Sequence, residues 1–147
     1  MRRQLTTAVL LCIAPVICFG QQSSHKLCDY VGTWQASFHG TAFITINLVE
    51  KNGHLTGSAG IGDIYGDPNG VITSVEAPAS ESPIVSTRLL QSGDLELTSR
   101  GDDPDDKITV VLELTGAKSG SVRFGIAMGH DATLVKPIAV QKIESKL

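Results

Sequence analysis

From residue 32 onward, apolar and polar side chains alternate with a period of two. That spacing places every second side chain on the same face of a β-strand. Residues 43–50 read FITINLVE: Ile44, Ile46 and Leu48 share one face, and Phe43, Thr45, Asn47 and Val49 the other. Asn52-Gly53 follows, the dipeptide best suited to a two-residue hairpin turn, because both central positions need positive φ. Residues 55–61 return with Leu55, Gly57, Ala59 and Ile61 on one face, and the glycines 57, 60 and 62 there predict a bend or bulge. After the turn Asp67-Pro68-Asn69-Gly70, residues 71–76 predict a short strand and residues 84–90 alternate again. Leu95 and Leu97 follow a tight turn at residues 91–94. Residues 107–115 place Ile108, Val110, Leu112 and Leu114 on one face. Strands over 121–125 and 134–143 complete the set, with Pro137 marking an edge or bulge in the last.

This makes eight or nine strands between residues 32 and 143, and none of the connections is long enough for a crossover helix. The strands are therefore antiparallel and joined as hairpins. The expected fold is all-β: an antiparallel up-and-down barrel of about eight strands, with a two-sheet sandwich as the alternative. A closed barrel leaves no unpaired edge.

The start of the chain has a different pattern. Arg2 and Arg3 precede the uncharged run AVLLCIAPVICF at residues 8–19, which is closed by Gly20. Twelve residues are too few to span a bilayer as a helix, which takes about 20. The layout is that of a secretory signal peptide over residues 1–20, with cleavage after Gly20. A buried apolar helix or an uncleaved anchor shares this hydropathy, and lipidation at Cys18 is the close rival. Residues 21–31 read as a polar N-terminal segment, and residues 32–147 as a single barrel domain.

Export changes the balance of the 147-residue chain, whose formal charge is −3 with three cysteines. Removing the leader takes two arginines, Cys12 and Cys18. The mature chain then carries ten basic against fifteen acidic side chains, and Cys28 is its one thiol. A lone cysteine in an oxidising compartment predicts a free thiol or a dimer through Cys28. The acidic balance excludes a nucleic-acid partner, which needs a basic footprint. No membrane association is expected after leader cleavage. Secreted or periplasmic localisation follows.

Gly32-Thr33-Trp34 stands immediately before the first strand and resembles the G-x-W opening of lipocalins and related calycin barrels. The resemblance implies that Trp34 closes one end of the barrel beneath a basic side chain from a late strand. Arg123 is the first choice for that partner and Lys142 the second. The chain departs from full lipocalins in its short mature length and in having no T-D-Y motif, no C-terminal helix pattern and no disulfide pair. It is closer to a small lipocalin-like or avidin-like barrel. Trp34 also suits the plain role of a core aromatic.

Catalytic and metal signatures are sparse. His25, His39, His54 and His130 lie in the leading segment or near turns, without helical i, i+4 spacing, so no metal site is expected. The acidic loop at residues 101–106 lacks the EF-hand pattern and reads as solvated. There is no G-x-S-x-G or phosphate-cradling loop, and Gly57–Gly62 has the wrong spacing for one. Neither a catalytic residue nor a cofactor is expected. Ligand contacts are assigned to Trp34, Asp63, Tyr65 and Arg123, with Asp63 and Tyr65 near the barrel mouth.

Three functions fit these residues. One is a non-enzymatic barrel holding a small hydrophobic molecule. The second is a structural or protein-interaction module with a filled core. The third is an enzyme on a calycin scaffold, using His39 or His130. Small inward residues such as Ala36, Gly57 and Ala59 favour the first by leaving room for a guest.

Overall fold

The alternating segments form ten strands in a computed structural model that describes residues 25–101, 103, 105–124 and 136–144. They are β1 (Gly32–Phe38), β2 (Thr41–Lys51), β3 (His54–Ile61), β4 (Ile64–Gly66), β5 (Ile72–Val75), β6 (Ser82–Leu89), β7 (Leu95–Arg100), β8 (Lys107–Leu114), β9 (Ser119–Phe124) and β10 (Ile138–Ile143). A one-turn helix, α1 (Leu27–Tyr30), precedes them. The leader, Cys18 and His130 lie outside the described residues.

Eight strands close into an antiparallel barrel in the order β1-β10-β9-β8-β7-β6-β3-β2. The expected barrel is present and the sandwich is not. Each barrel strand is the neighbour of the next barrel strand in the chain, and the run of direct connections is interrupted at one place. β4 and β5 pair only with each other, as a separate hairpin inserted between β3 and β6. The strand expected at residues 71–76 is therefore real but belongs to this excursion and not to the barrel wall. β3 and β6 meet through two residue pairs, Ser58↔Pro83 and Ala59↔Ser82. Pro83 has no N–H to give the ladder, so this is the narrowest seam of the wall.

The turns follow their residue chemistry. Asn52 and Gly53 have φ of 55° and 76°, as the β2–β3 hairpin requires, and His39-Gly40 joins β1 to β2 in the same region. The β1–β2 register shifts between Ala36 and Ser37, a bulge that bends the wall.

The inward residues make one core. Trp34, Ile44, Ile46, Leu48, Leu95, Leu97, Val110, Leu112, Val122 and Val140 are at most 1% exposed. Side chains this inaccessible border no space as large as a water molecule, so the barrel is packed across its middle. Toward one end the inward residues become smaller or polar: Ala36 on β1, Ala59 on β3 and Ser99 on β7. Phe43 breaks the alternation of β2 by being buried alongside Ile44.

Candidate functional site

The two ends of the barrel differ because different residues fill them. One end is plugged. α1 lies before β1, and its Tyr30 is wholly buried despite standing in the segment read as polar. The Tyr30 hydroxyl donates to the Gly93 carbonyl in the β6–β7 turn. The Trp34 indole N–H donates to the Tyr30 carbonyl at 2.8 Å. Every polar atom these two aromatics bring inside is thereby partnered.

Lys142 completes the plug. Trp34 and Lys142 stand directly opposite in the β1–β10 ladder. The Lys142 ammonium lies 5.0 Å from the indole centroid and donates to the Asp29 carbonyl at 3.0 Å. Gly32 has φ of 130°, a conformation that side-chain-bearing residues rarely adopt, and a Cβ there would also stand 3.0 Å from Lys142 Cε. Arg123 is not the partner. Val122 faces the core, so the pleat turns Arg123 outward, where it bonds Asp94 at 3.1 Å.

Burial pushes the Tyr30 phenol up to about 12, with the charges of Asp94, Asp29 and Glu113 acting the same way. An unfolded chain ionises this phenol first, near pH 10. Its contribution is therefore full below pH 10 and lost as pH rises toward 12. The loss is about 2 kcal/mol, less than a full two-unit shift because water partly screens the surrounding carboxylates. Urea unfolding between pH 9 and 11.5 should show a steeper fall for the native chain than for Tyr30→Phe. Equal slopes would remove Tyr30 as the source.

Among the described residues, the other end of the barrel shows two cavities whose linings share no residue. The larger, about 260 Å³, is mostly apolar. It is lined by Ala36, Phe38 and Phe43 from the first hairpin, Ile72 from β5, and Pro137 and Ile138 at the start of β10. Lys136 stands at its rim. It exists because the inward alanine and the bulge beside it leave unfilled the space between the hairpin β4–β5 and the wall. The smaller, about 190 Å³, includes Ala59, Asp63, Glu76, Ser82, Ser99 and Arg100 in its lining. It lies between the mouth ends of β3 and β7 and the connection from β5 to β6.

The four residues assigned to ligand contact do not converge. Trp34 is buried in the plug, with its N–H already bonded, and offers nothing to a guest. Arg123 sits on the outer wall. Asp63 does line the smaller cavity. Tyr65 lies beside it on β4, where its hydroxyl donates to Glu76 at 3.3 Å, and the charges of Glu76 and Asp63 raise its pKa. Phe38, Phe43, Ile72, Ile138 and Ser99 were not singled out by sequence. The only signal for Ser99 was a hydroxyl at the inward position after Leu95 and Leu97.

Among the described residues, no group of three or more His, Cys, Asp or Glu could hold a metal ion. Cys28 is an exposed free thiol on α1. No described helix is long and apolar enough to cross a membrane. Comparison with protein-family models, curated proteins and solved structures returned no match.

Proposed function

We propose that this chain is an exported calycin-like barrel that binds one small hydrophobic molecule at its open end, without catalysis. The apolar cavity of about 260 Å³ carries the reading. Two phenylalanines, two isoleucines and a proline offer dispersion contacts and few polar groups to desolvate, as small-molecule sites generally do. The packed middle of the barrel limits the guest to the mouth. That is a smaller volume than an open barrel would hold, and it excludes long-chain lipids. The calycin reading rests on Gly32, Trp34 and Lys142 at the plugged end of a closed eight-stranded barrel.

The test uses 1-aminoanthracene, a small neutral fluorophore that brightens in apolar surroundings. The chain should bind one equivalent. Ala139→Phe fills the cavity from an exposed position of β10 and should weaken binding about tenfold or more with little change in thermal stability. Absence of binding, or full binding by Ala139→Phe, would favour the module with a filled core.

A further inference from the structure

Lys136 is the one charged side chain in the lining of the apolar cavity among the described residues. Its place follows from the alternation of the last strand. Ile138 and Val140 are buried and Lys142 lies over Trp34, so every second residue of this stretch turns inward. Lys136, two residues before Ile138, extends the same row past the start of β10 to the mouth. The row therefore carries a lysine at each end. Lys142 is engaged within the fold, by the indole face and the Asp29 carbonyl. Lys136 makes no salt bridge among the described residues. Asp67 stands near enough to feel its charge but is held by its own turn. One Asp67 carboxylate oxygen accepts from the backbone amides of Asn69 and Val71, each at 2.9 Å. The Val71 amide is the main cause that holds the Asp67 carboxyl below its usual range, and Lys136 is the least.

We propose that the guest of this cavity is a small hydrophobic carboxylate, its apolar body against Phe38, Phe43 and Ile72 and its carboxylate accepting from the Lys136 ammonium. The inference rests on the reading of this cavity as a binding site and names the chemical class it takes. A guest that fills the cavity removes water from the side of the ammonium that faces it. A neutral guest leaves that loss uncompensated, whereas a carboxylate replaces the water with a charge-assisted hydrogen bond. Among the described residues the lining holds no carboxylate that would repel an anion or pair with a cation. A guest ammonium would meet Lys136 as a like charge. The chain as a whole carries fifteen acidic against twelve basic side chains, so its overall field disfavours anions, and Lys136 is the local exception at this cavity.

The test compares anthracene-1-carboxylate with anthracene-1-carboxamide, which share the same rings and nearly the same shape and differ in charge. Each is titrated into the chain at neutral pH and followed by its own fluorescence. The carboxylate should bind about fivefold more tightly, the effect of an ion pair open to water on one side. That ratio should fall to about one in Lys136→Gln, invert in Lys136→Glu and survive in Lys136→Arg. Added salt should reduce it in the native chain by screening the pair. Equal affinities in the native chain, or a preference for the carboxylate that persists in Lys136→Gln, would overturn the inference while leaving an apolar site in place. If neither compound binds and 1-aminoanthracene does not bind either, the site itself fails and the inference with it.

Discussion

Replacing Gly57 by alanine is expected to lower unfolding stability by about 3 kcal/mol or more, a large part of the 5–15 kcal/mol typical of a domain. Gly57 pairs with Leu48 in the β2–β3 ladder and has φ of 150°. A Cβ there would stand 1.8 Å from the Asn47 carbonyl oxygen and 2.9 Å from its carbon. Both obstacles are backbone, so relief requires moving one strand against the other. That movement would disturb Leu48 and Ala59, both buried, and with them the seam to β6. Gly40→Ala is the matched control. Its φ is 86°, but an added Cβ meets nothing within 4 Å, so only the left-handed backbone penalty of about 1 kcal/mol applies. Urea midpoints of the two variants decide the matter. A Gly57→Ala loss no larger than that of Gly40→Ala would show that close approach of the strands is not what requires glycine.

The second large effect is expected at Trp34. Trp34→Ala should cost about 3–5 kcal/mol, the range for removing a buried aromatic and leaving a cavity. The plug adds a specific component. The substitution leaves the Tyr30 carbonyl without its donor and takes the aromatic face from under Lys142. Trp34→Phe separates packing from hydrogen bonding. It keeps an aromatic ring but strands the carbonyl, so a cost of about 1–3 kcal/mol is expected. Thermal unfolding with Lys142→Ala as a third variant completes the comparison. Combining Lys142→Ala with Trp34→Ala should cost less than the sum of the two, because the pair interacts. Strict additivity would make Trp34 an ordinary core residue.

How far the chain could be read in advance depended on the range of each interaction. The strands were legible because alternation is local: Ile44, Ile46 and Leu48 on β2, and Val110, Leu112 and Leu114 on β8, all turned inward as their spacing required. The hairpin at Asn52-Gly53 was legible for the same reason. The partner of Trp34 was not. Arg123 and Lys142 are both basic and both on late strands, and the choice rests on registers spanning most of the chain. One local signal favoured Lys142. It continues the inward series Ile138, Val140, whereas Arg123 follows inward Val122.

Tyr30 was missed because its neighbours are polar. Its burial comes from α1 folding under the barrel to meet Gly93, 63 residues away. The candidate site was the least legible part. Asp63 was placed at the mouth by its position beside a glycine-rich bend. The apolar lining of the larger cavity joins β1, β2, β5 and β10, which no local pattern connects.

By itself the sequence determined the strand content, the antiparallel hairpins and the inward-facing rows, since each depends on side-chain period and turn chemistry within a few residues. Only the tertiary structure decided that β4 and β5 leave the wall, that Lys142 and Tyr30 seal one end, and that the small residues Ala36 and Ala59 open cavities at the mouth while the middle is packed. Those outcomes depend on barrel closure. Closure fixes which distant side chains share a layer, and the summed volume of a layer determines whether space remains in it.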